Sequence, residues 1–285
     1  MQGASTGLPR IPAAPRAIRE GVALKHLLGA EACAGLARNL SIAYPRFDAR
    51  GFRERAMEGL EPLELMQRGR HLAGALHAFL PGTYARAIDV LLASMTPPRV
   101  EAEAFGLEEF FYLPHSFFIA EYGLEPRFNG GRDPFEVSMR AQHALTTRFT
   151  AEFSIRPFLV RHPDRTLSRL RRWTRDPNPH VRRLCSEGTR PRLPWAKRIP
   201  ALVADPAPVL PILDALRDDA SLYVRRSVAN HLGDIAKDHP ELVFGICERW
   251  LAGAGDERRW LIRHALRHPA KQGNREALRL RAAAR

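Results

Sequence analysis

Three carboxylates, Glu152, Glu187 and Asp234, recur beside arginines in three neighbouring segments of the chain. Carboxylates placed together can stabilise a developing cation or hold a water molecule for attack. Glu187 also stands where a predicted helix meets a basic loop with a single tryptophan, Trp195. An aromatic face attracts a cationic ligand. These residue types therefore indicate chemistry on a ligand that contains a positive charge.

Helical projection tests whether these acids are ordinary surface charges. With Val224 at zero, the apolar positions of its helix lie between about 20° and 80°, and Asp234 lies near 280°. Glu187 projects near 240° in its own helix, and Glu152 near 140° if a helix runs from Thr147. A single such acid is usually a solvated partner of an arginine. Three in register beside a basic loop favour a site.

The helix that carries Glu187 has clear start and stop signals. Asp176 or Asn178 is suited to cap its N-terminus, and prolines occupy the first turn. The helix should end near Gly188, because Pro191 and Pro194 cannot continue it. The residues that follow are rich in arginine and lysine around Trp195, which is unlike a bland Gly/Ser-rich connection.

The elements that must position these residues repeat along the chain. His162-Pro163, Asp205-Pro206 and His239-Pro240 each open a predicted helix, at intervals of 43 and 34 residues. A second predicted helix lies upstream in each repeat, and these helices align with one another through a shared motif. The aligned segments are Thr147-Arg148, Val181-Arg182-Arg183, Val224-Arg225-Arg226 and, more loosely, Ile262-Arg263-His264. Periods of this length, with two helices each, predict an all-α, HEAT-like-repeat α-solenoid with a concave basic face. The longer interval places an insertion between Gly188 and Ile199.

The N-terminal half also has helical periodicity and almost no strand signal. Helices are expected over residues 22–43, 52–60, 63–80 and 83–95. The aromatic residues between Phe110 and Tyr122 fit a core better than a stacking platform. We expect a flexible tail at 1–19, one repeat domain at 20–278 and a short basic tail at 279–285.

Composition restricts the partners. The chain has 44 Lys+Arg against 31 Asp+Glu in 285 residues, a formal charge of +13, which favours nucleic acid or an anionic membrane surface. No apolar run reaches the length of a membrane span, and the N-terminus lacks the apolar core of a secretion signal. Three separated cysteines fit a reducing compartment. His264 and His268 have metal-pair spacing without a third ligand, so we predict no metal and no cofactor.

Several motifs together carry a family resemblance. They are Ser186-Glu-Gly-Thr-Arg-Pro-Arg-Leu-Pro-Trp195, Val224-Arg-Arg-Ser-Val-Ala-Asn-His-Leu-Gly-Asp234-Ile, Ile262-Arg-His-Ala-Leu, Ala43-Tyr-Pro-Arg-Phe-Asp48 and Leu63-Glu-Leu. In these motifs the chain resembles the HEAT-like-repeat alkylpurine DNA glycosylases, and the AlkC branch most closely, over roughly residues 20 to 275. Gly233 departs from the larger polar residue expected before Asp234.

The resemblance implies a monofunctional DNA glycosylase that removes cationic N-methylated bases, 3-methyladenine and also 3-methylcytosine, from duplex DNA. At the matching positions it assigns the active-site acids to Glu187, Glu152 and Asp234 and the lesion contact to Trp195. The partner would be double-stranded DNA with alkylated bases, bound by a monomer in the bacterial cytoplasm, at the nucleoid, with no membrane. The expected DNA-binding residues are Arg148, Arg182, Arg190, Arg192, Lys197, Arg225, Arg226, Asn230 and Arg263.

Other functions fit part of the pattern. A non-catalytic HEAT-repeat scaffold or DNA-binding protein needs the basic face but not three acids in register. A peptide-binding armadillo-like adaptor fits poorly with a charge of +13. Base release from methylated DNA separates the enzyme from both alternatives.

Overall fold

The described part of the computed structural model covers residues 10–13, 21–99 and 107–285, and within these ranges every regular element is helical. The predicted all-α class is therefore confirmed. Most of the predicted tail at 1–19 lies outside the described residues. The chain divides into two compact units, the first ending at Thr150 and the second running from Ala151 to Arg285. The single domain at 20–278 stays a prediction.

In the part of the first unit that the structure describes, there are six α-helices and three short 3-10 helices. The α-helices are α1 (Ala30–Ala43), α2 (Ala49–Met57), α3 (Leu65–Phe79), α4 (Tyr84–Ala93), α5 (Leu113–Tyr122) and α6 (Phe135–Thr146), and the 3-10 helices are Leu24–Leu28, Leu107–Tyr112 and Pro126–Asn129. Helix α3 packs on α5, and α1 packs on α2. Phe111, Tyr112, Phe117 and Phe118 are buried, so the aromatic cluster is core, as predicted.

The second unit consists of helix pairs stacked in two rows. Its helices are α7 (Glu152–Arg161), α8 (Pro163–Trp173), α9 (Pro179–Glu187), α10 (Pro200–Ala204), α11 (Leu210–Leu216), α12 (Leu222–Ile235), α13 (Pro240–Leu251), α14 (Asp256–Ala265), α15 (Arg267–Lys271) and α16 (Arg275–Ala283), with a 3-10 turn at Ala207–Val209. In one row α12 packs between α9 and α14, and the other row holds α8, α11, α13 and α16.

Three predicted helix starts coincide with this repeat. Helix α8 begins at Pro163 and α13 at Pro240, while Pro206 precedes the 3-10 turn that leads into α11. Apolar side chains of successive pairs, such as Leu170, Leu213 and Leu232, are fully buried between the rows. The repeat predicted from the intervals is therefore confirmed in this unit.

The predicted helix through Thr147 is wrong. Helix α6 ends at Thr146, and α7 begins only at Glu152. The Arg148 amide donates to the Leu145 carbonyl, three residues back, and the side chains of Thr147 and Arg148 both bind the Ala144 carbonyl. These contacts end the helix, so the projection of Glu152 from Thr147 has no structural basis. Glu152 instead occupies the first turn of α7.

The insertion lies where the repeat intervals placed it, between α9 and α10. Asn178 caps α9, with its side chain accepting from the His180 amide, and Gly188 is the C-cap. A Cβ at Gly188 would lie 2.5 Å from Cγ2 of Ile155, so glycine allows α9 to end against α7. Leu193 and Ile199 are buried and anchor the insertion in the core of the unit.

Two further features concern the termini of elements. The predicted basic tail at 279–285 is mainly the end of α16, with Leu280 and Ala284 buried. Arg279 forms ion pairs with Glu248 and Glu276, and these contacts hold it against α13 and its own helix. Among the described residues, no helix is both long and apolar enough to cross a membrane.

Candidate active site

The three predicted acids lie in one chain of alternating charges within the second unit. Glu152 begins α7, Glu187 ends α9 and Asp234 lies in the last turn of α12. Arg183 joins the first acid to the second, and Arg190 joins the second to the third. We call these five residues the acid–arginine chain. Their grouping, predicted from the sequence, is present in the structure.

The distances along the acid–arginine chain are those of direct ion pairs. Arg183 lies 2.9 Å from Glu152 Oε2 and 3.4 Å from Glu187 Oε1. Arg190 lies 2.7 Å from Glu187 Oε1 through Nη1 and 2.7 Å from Asp234 Oδ2 through Nε. The side chains of Glu187 and Asp234 are only 8% and 5% exposed. The acids are therefore buried partners of arginines rather than solvated surface charges.

Glu187 is held in its ionised form. Burial alone raises its pKa, but Arg183, Arg190 and a hydrogen bond from Ser227 together bring the pKa below its ordinary value. The Ser227 hydroxyl donates to Oε2 at 2.6 Å, while Oε1 receives the guanidinium groups. A carboxylate in this state can stabilise a cation or accept a proton from water, but it cannot act as a general acid at neutral pH.

A second layer of polar contacts fixes the end of α9 behind Glu187. The ring of His231 is fully buried, and its Nδ1 lies 3.0 Å from the Ser186 carbonyl. Burial lowers the pKa of His231 to about 4, so the ring is neutral at pH 7 and Nδ1–H can donate to this carbonyl. The Ser186 and Ser227 hydroxyls lie 3.0 Å apart. Helix α12 thus positions the carboxylate of Glu187 through three side-chain contacts.

The insertion that carries Trp195 is held by Arg156 of α7. The guanidinium donates to the carbonyls of Gly188 at 3.2 Å, Arg190 at 2.7 Å and Lys197 at 2.6 Å. These carbonyls lie near both ends of the insertion, so one side chain closes it into a fixed loop. Trp195 lies inside that loop, is 61% exposed and has a positive φ of 62°, a conformation that most residues avoid.

Two of the predicted DNA-binding arginines support the helix starts instead. Arg182 donates to the carbonyls of Asp176 and Pro177 and forms a two-bond ion pair with Asp219. Arg225, which is 9% exposed, donates to the carbonyls of Asp219 and Ala220. Both occupy the fourth position of their helices. Their predicted contact with DNA is therefore not supported by the geometry.

An arginine at the fourth position of a helix, bound to a carbonyl that precedes the helix, also corrects the alignment of the last repeat. Arg259, not Arg263, is the fourth residue of α14, and its Nε donates to the Ala254 carbonyl at 3.0 Å. Arg263 lies one turn later and binds the Ala284 carbonyl near the C-terminus. Arg148 belongs to the first unit and binds the carbonyls of Thr96 and Ala144. Backbone carbonyls thus engage the guanidinium groups of these four arginines, and the series of phosphate contacts through Arg148, Arg182, Arg225 and Arg263 stays a prediction.

The remaining predicted DNA contacts differ in their accessibility. Arg226 and Lys197 are exposed. Arg192 forms a two-bond ion pair with Asp238. The Asn230 amide oxygen accepts from Arg267 and lies 3.2 Å from Nε2 of His264. Arg190 belongs to the acid–arginine chain.

Several residues of this region were absent from the sequence-based list. Arg156, Ser227 and His231 position other groups, and only tertiary contacts reveal that role. Arg267 and Lys271 are exposed cations beside the acid–arginine chain. The one feature of the sequence that could have indicated them is their position in a short basic segment, now helix α15, after the last repeat. Gly233, the unexpected glycine, lets α12 approach α14, since an added Cβ would lie 3.3 Å from the Ala265 carbonyl.

Sequence comparison finds a known protein family over most of the second unit. A family model described as DNA alkylation repair enzyme matches residues 143–268, which contain the whole acid–arginine chain and the insertion. The uncharacterized protein YhaZ of Bacillus subtilis is 38% identical over 258 residues, which are 90% of this chain and 67% of that protein.

A solved structure is similar in both sequence and fold. The alkylpurine DNA glycosylase AlkC of Pseudomonas fluorescens, bound to DNA containing an abasic site analog, is 42% identical and superposes with a TM-score of 0.79. The match covers 91% of this chain and 67% of that one. The chain thus spans about two thirds of the length of both relatives.

Proposed function

Because this chain belongs to the DNA alkylation repair family that includes the alkylpurine DNA glycosylase AlkC, we propose that it releases cationic N-alkylated bases from duplex DNA. The proposed substrates are 3-methyladenine and, in addition, 3-methylcytosine. The alkylpurine glycosylase class and DNA as the partner follow from the family. The lesion preference and the roles of individual residues are the proposal. The observation that supports it is the acid–arginine chain, with three carboxylates beside an exposed tryptophan loop.

The chemistry needs no general acid. N-Alkylation leaves the base positively charged, so heterolysis of the N-glycosidic bond sends the electron pair to the base and neutralises it. The sugar becomes an oxocarbenium-like cation at C1′, as in glycoside hydrolysis. Glu187, held ionised by its neighbours, stabilises that cation electrostatically. Water then adds to C1′ and gives up a proton to one of the carboxylates of the acid–arginine chain. An abasic site remains in the DNA.

The arginines decide how much negative charge the site offers. Each acid is paired with an arginine, so the two guanidinium groups offset two of the three negative charges of the acid–arginine chain. A buried paired carboxylate does not repel the DNA backbone as an exposed acid would. The developing sugar cation competes with the guanidinium groups only as the glycosidic bond breaks. Stabilisation that acts in the transition state more than in the ground state is what accelerates a reaction.

Trp195 is the proposed contact for the damaged base. Its exposed ring presents a π-face, which attracts a cationic base by about 0.5–2 kcal/mol. A neutral base lacks this attraction, so the tryptophan contributes to selection of alkylated bases. Arg156 fixes the loop that carries the ring.

We propose a monofunctional enzyme that acts as a monomer, because one chain supplies the acids, the arginines and the tryptophan loop. Lys237 is the lysine to test for lyase chemistry, since Nζ lies 3.1 Å from Asp234 Oδ1. We expect its pairing with this carboxylate to keep it from attacking C1′. Borohydride should therefore trap no covalent protein–DNA adduct, and strands should break only after alkali treatment.

The test of the proposed function is base release from duplex DNA treated with a methylating agent. Chromatography should detect free 3-methyladenine and 3-methylcytosine above the spontaneous level, at neutral pH and without added metal. Release of 7-methylguanine must be compared with a protein-free sample, because this adduct is lost spontaneously. DNA binding without release of any methylated base would identify a non-catalytic DNA-binding scaffold instead.

A further inference from the structure

An open cavity of about 430 Å³ lies beside Asp234, at the end of the acid–arginine chain. Helix α12 and the short helix α15 form its walls. Four of the lining residues are permanent cations, namely Arg190, Lys237, Arg267 and Lys271, and His268 also lines the cavity. Among the described residues that line the cavity, Asp234 is the one carboxylate. The cavity therefore combines a recess with an excess of positive charge.

The single carboxylate does not balance this charge. Asp234 is already paired with Arg190 at 2.7 Å and with Lys237 at 3.1 Å. The partners of Arg267 are neutral: Nη1 donates to the His264 carbonyl at 2.6 Å, and Nη2 donates to the Asn230 amide oxygen at 2.8 Å. These two bonds fix the guanidinium plane without neutralising it. Lys271 and His268 are exposed at the rim.

The cationic surroundings also affect the titration of neighbouring groups. Burial lowers the pKa of Arg267 and the charge of Arg190 lowers it further, while Asp234 only partly opposes them. The pKa of His264 falls to about 4 because of burial and then of Arg267 and Arg226. Like charges thus oppose one another around this cavity. An anion placed among them relieves that repulsion.

We propose that this cavity is an anion subsite that holds one phosphate of the lesion-bearing DNA strand, with Arg267 and Lys271 as its ligands. The proposal rests on the proposed function, because the acid–arginine chain beside it must face the same nucleotide region. Arg267 offers a fixed, planar donor pair, and Lys271 offers a mobile ammonium, a combination suited to a phosphate with two free oxygens. A cationic base is repelled by the cavity, so sugar and base remain toward the acids while the backbone turns toward α15.

The first test measures binding of Lys271→Gln to a duplex with an abasic-site analogue. Lys271 is exposed, so the substitution leaves the fold intact. At low salt the affinity should fall by about three- to tenfold, and the slope of log affinity against log salt should become shallower by about one. Lys271→Arg should restore both values. Arg249→Gln on α13, an exposed cation in the other helix row, removes the same charge and should leave both unchanged.

A methylphosphonate scan identifies the phosphate. Replacing a single backbone phosphate with a neutral methylphosphonate should weaken binding of the wild type at one position in particular. At that position Lys271→Gln should lose no further affinity, because the same contact has already been removed. The subsite would be overturned if the loss of affinity from Lys271→Gln and the loss from the methylphosphonate added at every phosphate position. It would also be overturned if Lys271→Gln bound the unmodified duplex as tightly as the wild type.

Inorganic phosphate separates the two sources of this anion. Phosphate should compete with DNA more effectively for the wild type than for Lys271→Gln at equal ionic strength. If inorganic phosphate raised the melting temperature of the wild type while Lys271→Gln bound DNA as tightly as the wild type, the cavity would be a site for the free ion. That result would overturn the DNA assignment. Base release by the same proteins keeps the two proposals apart. A wild type that releases base while Lys271→Gln binds DNA normally contradicts the subsite alone, whereas absence of release contradicts the proposed glycosylase function.

Discussion

Replacing Arg156 with methionine should loosen the tryptophan loop and lower base release. The guanidinium binds three backbone carbonyls, those of Gly188, Arg190 and Lys197, two of them at 2.7 Å or less. A hydrogen bond from a charged donor contributes about 1.5–3 kcal/mol to the free energy of unfolding, and carbonyls left buried without a donor add to the loss. Methionine keeps most of the side-chain volume and so removes mainly these bonds.

Burial of the guanidinium offsets part of the stability that its hydrogen bonds provide. Burial lowers the pKa of Arg156 to about 10, which means that desolvating the guanidinium has a cost. We therefore expect Arg156→Met to reduce the free energy of unfolding by about 2–4 kcal/mol, less than the sum of the separate bonds. Urea unfolding followed by circular dichroism measures this change.

Loop mobility and catalysis provide the decisive comparison. Trypsin should cut Arg156→Met faster after Arg192 and Lys197, identified by mass spectrometry, while other sites keep their rates. Arg225→Met is the matched control, because Arg225 also binds two backbone carbonyls but none in the insertion. Arg156→Met should release 3-methyladenine about as slowly as Trp195→Ala. Unchanged loop cleavage together with unchanged base release would refute the role of Arg156.

Three further substitutions test the groups around the acids. Trp195→Ala should slow 3-methyladenine release by about tenfold, because it removes a cation–π contact but no charge; equal release of 3-methyladenine by wild type and variant would contradict the lesion contact. Ser227→Ala removes a hydrogen bond that lowers the pKa of Glu187, so the loss of activity on the acid side should begin at a higher pH; a pH profile with an unshifted acid limb would argue for a purely structural serine. His231 has a folded pKa of about 4 against 6.5 for an unfolded histidine, so its contribution to stability is complete above pH 6.5 and is lost as the pH falls toward 4. It should account for about 2 kcal/mol of the stability lost between pH 7.5 and pH 5, and His231→Asn should lose less stability over that range when urea unfolding is compared at the two pH values.

The helical periodicity and the caps were sufficient to predict most of the fold. Helix α9 begins after Asn178 and ends at Gly188, as predicted, because a side-chain cap and the prolines that follow the helix act within a few residues. The boundary at Thr147 failed for the opposite reason. Arg148 reaches the Thr96 carbonyl, 52 residues away, and no local pattern announces such a contact.

The same distinction explains which site residues could be predicted. Glu187 and Trp195 were singled out because Glu187 adjoins, and Trp195 lies within, an insertion that the repeat intervals make visible. Arg182 and Arg225 were assigned to DNA because a sequence does not show whether a guanidinium faces a phosphate or a nearby carbonyl. Arg156 was missed because its three partners lie 32 to 41 residues further along the chain.

Single-turnover release of 3-methyladenine by wild type and Glu187→Gln shows whether the negative charge of Glu187 accelerates base release. Glutamine keeps the shape but not the charge, and Arg183 and Arg190 each retain a second acid, Glu152 and Asp234 respectively, so the variant should fold. Its affinity for a duplex with an abasic-site analogue should stay close to that of the wild type. Base release should fall by about 100-fold or more at neutral pH, because the charge that stabilises the sugar cation is gone. Equal rates of release by the two proteins would contradict this role of Glu187.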